Sequence, residues 1–166
     1  FSEWKKNFHQ FLRVWTLQGL WVFLTSVAAV TAITSRKIIE PDLFLYIGSF
    51  LWVFGFLFES TADYQKRKFR SENKNKFIQS GLWSISRHPN YFGEIVLWLG
   101  IALIAFPTLA GPQYVSLISP IFVYMLLTRV SGIHILEKHA DDTWGKKKDY
   151  KAYKEKTPVL FPKIFK

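Results

Sequence analysis

Long apolar runs alternate with short polar ones along this chain, and no apolar run carries a polar stripe at helical spacing. Trp15 to Ile33 is nineteen residues without a charge, Leu43 to Phe58 is sixteen, and Tyr114 to Thr128 is fifteen. Tyr91 to Phe106 is sixteen residues with Glu94 as its single charge. A surface helix of a soluble protein keeps one face polar, whereas a bilayer span needs about 20 mostly apolar residues, with a lower bound of about 17. The first run meets that length alone, and the others meet it with their flanking turns. The pattern therefore predicts an all-α, polytopic transmembrane helix bundle, a single membrane domain over residues 1–166 with four spans at about 12–34, 43–60, 90–106 and 113–129. Residues 61–89 then form a long polar loop and 130–166 a basic tail. Within the loop, Glu59, Asp63 and Arg67 recur every four residues and continue the second span as a helix, on one face of it. Lys146–Lys156 reads as a short interfacial helix or, equally well, as a solvated basic one.

Charge placement adds a topology. Of the 22 Lys and Arg, three lie in 1–14, seven in 59–90 and ten in 129–166, and four spans put these segments on one side. Arg36 and Lys37 alone face the other side. By the positive-inside rule the N-terminus, the C-terminus and loop 61–89 are cytoplasmic, in a bacterial inner membrane or the endoplasmic reticulum. The net charge of +10 thus reads as topology, with attraction for membrane lipids or a polyphosphate cofactor besides. It does not argue for nucleic acid, because the basic residues flank spans and no recognition motif accompanies them. The absence of Cys excludes disulfides and thiolate-ligated metals.

The densest chemistry sits at the entrance of the third span, in Gly81-Leu-Trp-Ser-Ile-Ser-Arg87-His88-Pro89-Asn90-Tyr91-Phe92-Gly93-Glu94. Arg87 and His88 before a helix N-terminus suit an anion such as phosphate. Asn90 offers both a donor and an acceptor, and Glu94 lies one turn further on the same face. A carboxylate inside a span is costly and marks function by default; the plainer reading is that Glu94 pairs with a neighbouring cation. Asp63, Arg67 and Arg70 form a second group, which solvated surface charge would also explain. His134 and Glu137 share a face after the fourth span. The histidines lack metal-ligand spacing, so no metal is expected. No GxGxxG, P-loop, GxSxG or HExxH is present, which removes Rossmann domains, P-loop NTPases and the familiar hydrolases.

The Gly81–Glu94 stretch resembles the signature of the steroid 5α-reductase and sterol reductase superfamily, and looks most like its bacterial 5α-reductase-like membrane proteins. The segment from Phe58-Glu59 through Arg70, and the tail pattern Glu137…Tyr150…Tyr153…Thr157-Pro158…Phe161-Pro162, extend the likeness. The resemblance implies an NADPH-dependent reductase that passes hydride to an activated C=C bond of a steroid-like or other lipid enone. It implies that Asn90, Tyr91 and Glu94 contact the cofactor inside the bundle, that Asp63, Arg67 and Arg70 hold its nucleotide end, that Arg87 and His88 lie near its phosphates, and that His134 or its neighbours close the site. Members of that family have further N-terminal spans, which supply the proton donor; Phe1–Arg13 has no counterpart to them, so the donor is expected upstream. Two other readings share these features. One is an S-adenosylmethionine-dependent membrane methyltransferase of the isoprenylcysteine or phospholipid type, and the other a non-enzymatic membrane protein that keeps the cofactor fold.

The topology is directly testable, since the chain holds no Cys of its own. Single Cys residues in place of Glu40 and of Gln79 should react with an impermeant maleimide from opposite faces of sealed vesicles; labelling from one face would refute the four-span reading.

Overall fold

The computed structural model describes residues 8–73, 75–130 and 132–163. Among them are six α-helices and no strand: α1 (Phe8–Thr34), α2 (Leu43–Glu72), α3 (Pro89–Ala105), α4 (Ile118–Met125), α5 (Ile133–Trp144) and α6 (Lys148–Lys156). Four helical stretches are long and apolar enough to cross a membrane. Large apolar side chains such as Trp15, Phe50, Leu57 and Ile121 stand more than half exposed on them. Water would penalise that surface and lipid does not, which makes the chain an integral membrane protein.

Local chemistry explains where each helix starts and stops. In α1 the hydroxyls of Ser26, Thr31 and Thr34 donate back to the carbonyls of Val22, Val27 and Val30, so these three are not left bare to lipid. The Asp42 carboxylate caps α2 by accepting from the Leu45 N–H at 2.9 Å. α2 then runs unbroken past the apolar stretch, so Glu59, Asp63, Arg67 and Arg70 are all helical. Gly81, with φ of +62°, turns the chain where a residue with a Cβ would be strained and would also meet the Gln65 side chain. Pro89 occupies the first turn of α3, where its missing N–H costs nothing.

The fourth crossing is segmented. A 3₁₀ stretch from Gly111 to Leu117 leads into α4, a π-helical turn covers Leu126–Val130, and α5 begins at Ile133. α1 packs against it, with Ala28 fully buried and the Ser119 hydroxyl donating to the Thr25 carbonyl. At the same end the Ser35 hydroxyl and the Lys37 ammonium donate to the carbonyls of Thr108 and Pro107 at 3.0 and 2.7 Å.

α2 and α3 form the tightest pair. Gly48 and Gly55 are seven residues apart on α2, as Gly93 and Gly100 are on antiparallel α3, and they meet as 48 with 100 and 55 with 93. A Cβ at Gly48 would sit 2.7 Å from the Gly100 carbonyl, and one at Gly55 would sit 2.6 Å from the Gly93 carbonyl. Only glycine permits this approach, the usual way helices associate in lipid. A Cβ on Gly93 would lie 2.6 Å from the Glu59 backbone nitrogen, a clash no rotamer can relieve. Gly93→Ala should therefore lower stability by about 1–3 kcal/mol, seen as an earlier melting midpoint in detergent. Gly19→Ala, with nothing within 4 Å, serves as the control that should not fall.

Candidate functional site

The polar end of the bundle is organised around the turn between α2 and α3. The Trp83 indole N–H donates to the Ala62 carbonyl at 3.0 Å and the Leu82 N–H to the Gln65 side chain at 2.9 Å, which pins the turn to α2. The Lys66 ammonium lies 4.8 Å above the Trp83 ring, a cation–π contact. The tail holds the turn from the other side. Arg87 N–H donates to the Pro158 carbonyl at 2.9 Å, Lys163 N–H to Ile85 at 2.9 Å, and the Ser86 hydroxyl to Leu160 at 2.8 Å. The Tyr153 hydroxyl donates to the Trp83 carbonyl at 2.7 Å.

Arg87 and His88 are both drawn to one carboxylate. His88 Nε2 lies 2.9 Å from Glu137 Oε1, while Arg87 Nη1 lies 2.9 Å and Lys154 Nζ 3.5 Å from Glu137 Oε2. Arg87 makes an ion pair without a well-aligned hydrogen bond, for its Nη1 and Nε find no hydrogen-bond partner. Lys154 also bonds both Asp141 oxygens, at 2.7 and 3.0 Å, and the Tyr150 hydroxyl donates to Asp141 at 3.1 Å. The His88 ring stacks on Tyr91 at 5.6 Å, and its Nδ1 is buried with no partner. Burial pushes the Tyr150 and Tyr153 phenols above their ordinary range.

These residues wall a cleft of about 790 Å³ of free space. Lys66, Arg70, Lys76 and Arg87 supply its positive charge, and Glu137 is the one carboxylate among the described residues that line it. Phe77 centres an aromatic cluster on its wall, with ring centroids 5.2 Å from Tyr150, 5.6 Å from Tyr153 and 5.9 Å from Trp144. Alongside runs a second groove of about 900 Å³ of free space, lined by Phe56, Glu59, Ser60, Asp63 and Arg67, which shares Lys66 and Arg70 with the first. Positive charge beside flat rings is what a nucleotide requires: phosphates on the cations, a base on the aromatics.

The expected residues divide accordingly. Arg70, Arg87 and His88 line the cleft, whereas Asp63, Arg67 and again Arg70 line the groove beside it. Asn90, Tyr91 and Glu94 are half-buried on α3 and line neither space, and the Asn90 Oδ1 is buried without a partner. Across the glycine contact Glu59 comes up beside α3, where it, Asp63 and Glu94 feel one another's charge. His134 is exposed and faces neither space; Glu137, three residues on, takes the wall instead. Lys66 and Lys76 line the cleft without any signal in the sequence, whereas Trp83 carries one as part of the Gly81–Glu94 stretch.

A family model described as "Protein of unknown function (DUF1295)" matches residues 1–157. A probable 7-dehydrocholesterol reductase of Acanthamoeba polyphaga mimivirus is 28% identical over 127 residues, covering 66% of this chain and 27% of that protein. The chain thus spans about a quarter of the length of that curated relative. No solved structure matches.

Removing the Tyr153 hydroxyl tests how the tail is held. Tyr153→Phe should cost about 1 kcal/mol through the lost bond to Trp83. Because burial raises the phenol above 10.0, folding favours its neutral form, and that contribution is whole below the ordinary value and lost as pH rises beyond it. Alkaline melting curves should therefore fall less steeply in the Phe variant than in the wild type.

Proposed function

We propose that this chain, which belongs to the DUF1295 family, forms the nucleotide site of a sterol-reductase-like membrane reductase that uses NADPH on a lipid-soluble substrate. The observation that carries the reading is the cleft itself, where four cations and an aromatic cluster converge at the polar end of a transmembrane bundle. The buried Nδ1 of His88 without a partner fits a wall that waits for a ligand donor. In support, the relative's printed name is that of a probable reductase of a sterol.

On this reading Lys66, Arg70 and Arg87 bind phosphates, Asp63 accepts from a ribose hydroxyl at the adjoining groove, and Phe77 and its neighbours pack the base. Asn90 and Glu94, deeper along α3, hold the nicotinamide end through amide hydrogen bonds. The cofactor supplies a hydride when bound, and a steroid-like or other lipid enone is the class of acceptor. The substrate enters from the bilayer, and the cleft opens on the cytosolic side, where NADPH is found.

A ligand of the folded state stabilises it by about 2.7 kcal/mol at a hundredfold excess over Kd, and so raises the melting midpoint. NADPH should stabilise the purified protein and Arg70→Ala should weaken that effect about tenfold, the loss of one charge-assisted phosphate contact. Stabilisation by S-adenosylmethionine in place of NADPH would assign the cleft to methyl transfer. A response to neither would leave a membrane protein without this cofactor.

A further inference from the structure

Three donors on two elements converge on Glu137, and each has a second anchor, which for Arg87 is its backbone. The Arg87 backbone is tied to Pro158. His88 is held by its stack on Tyr91 and by its backbone N–H donating to the Ser86 hydroxyl at 3.2 Å. Lys154 is anchored by Asp141 at 2.7 Å, closer than its 3.5 Å approach to Glu137. The His88 ring, the Lys154 ammonium and the Arg87 backbone are therefore placed without the carboxylate that fills the cradle. α5 is likewise fixed by other residues: Asp141 through Tyr150 and Lys154, and Trp144 through its indole N–H to the Asn75 carbonyl at 3.3 Å. Glu137 can leave by turning its side chain, with the helix unmoved.

Its hold on the cradle is also incomplete. The Arg87 guanidinium lies close to the carboxylate without pointing an N–H at it, and its Nε, like the His88 Nδ1, is buried and unpaired. A planar carboxylate has two oxygens for these donors; a phosphate has three, spread tetrahedrally, and more charge. We propose that Arg87, His88 and Lys154 form a phosphate subsite in which Glu137 is a resident stand-in anion, exchanged for a ligand phosphate on binding. This rests on the reading of the cleft as a nucleotide site and goes beyond it by assigning Lys154 to the phosphate and Glu137 to competition with it. The exchange keeps buried Arg87 and His88 and half-exposed Lys154 neutralised in the free protein and selects for ligands able to displace a carboxylate.

The consequence runs against the usual expectation for a residue in a binding cleft: removing the charge of Glu137 should tighten binding. NADPH and inorganic pyrophosphate are titrated into the detergent-solubilised full chain, wild type and Glu137→Gln, at fixed ionic strength. Both should bind the Gln variant about three- to tenfold more tightly, the effect of deleting one like charge at a partly buried anion site. In the wild type, carbodiimide labelling of Glu137 followed by mass spectrometry should speed up when either ligand is added, since the displaced carboxylate becomes accessible. This second measurement decides the matter if the Gln variant fails to fold. Weaker or unchanged binding in Glu137→Gln, or protection of Glu137 by ligand, would make it a scaffold residue and overturn the exchange. If pyrophosphate shows the exchange and NADPH does not bind, the exchange stands and the NADPH reading falls. If neither binds the wild type, both fall.

Discussion

Everything at the polar end of this molecule depends on the glycine contact between α2 and α3. Lipid tails are as apolar as the helix surfaces, so burying apolar area gives these helices no reason to prefer each other. Close backbone approach does, and it fixes register as well as proximity. Gly48 against Gly100 and Gly55 against Gly93 leave no freedom to slide, because moving either helix by one residue would put a side chain into backbone. One turn beyond the second contact stands Glu59. Beyond it come Ala62, Gln65 and Lys66, which receive the turn that ends at His88. The positions of the cleft residues are thus set by contacts well inside the membrane region.

The same geometry sorts charge by depth. Cations gather where the helices leave the apolar zone, along with the aromatic rings of the tail. Two carboxylates lie further along, Glu59 and Glu94, on either side of the glycine contact. An extended anionic ligand laid with its phosphates at the mouth would point its other end toward those carboxylates. Polar groups placed so deep are expensive to keep.

Much of the helical architecture was legible in the amino-acid pattern, because uninterrupted apolar runs have few alternatives. The break in the fourth crossing was less so: Gly111-Pro112 is visible as punctuation, but nothing in Leu126–Val130 announces a π-helical turn. Within the site, the Gly81–Glu94 stretch was recognisable as a unit, yet the fold divides it. Arg87 and His88 face the cleft, while the α3 helix carries Asn90 and Glu94 away along its axis at about 1.5 Å per residue. Glu137 and His134 illustrate the other limit. Residues three apart on a helix point only about 60° apart, so a one-dimensional reading cannot separate them. The rotation of α5 decides, and that is set by Asp141 meeting Tyr150 and Lys154. Lys66 is one of several cations at the end of α2, and only the fold brings Trp83, seventeen residues on, within cation–π reach of it.

The tail bears on how the protein comes into being. Apolar spans can enter the bilayer one at a time as they emerge, and α2 and α3 can pair as soon as both are inserted. The turn between them cannot reach its final form then, since its backbone partners are the carbonyls of Pro158 and Leu160 and the N–H of Lys163. More than seventy residues separate these partners along the chain. During synthesis at roughly 5–20 residues per second, a membrane-inserted intermediate persists for several seconds with Arg87 and His88 still unclamped. Completion of the cleft thereby waits on the tail, and a ribosome that stops before Pro158 leaves the turn between α2 and α3 unclamped.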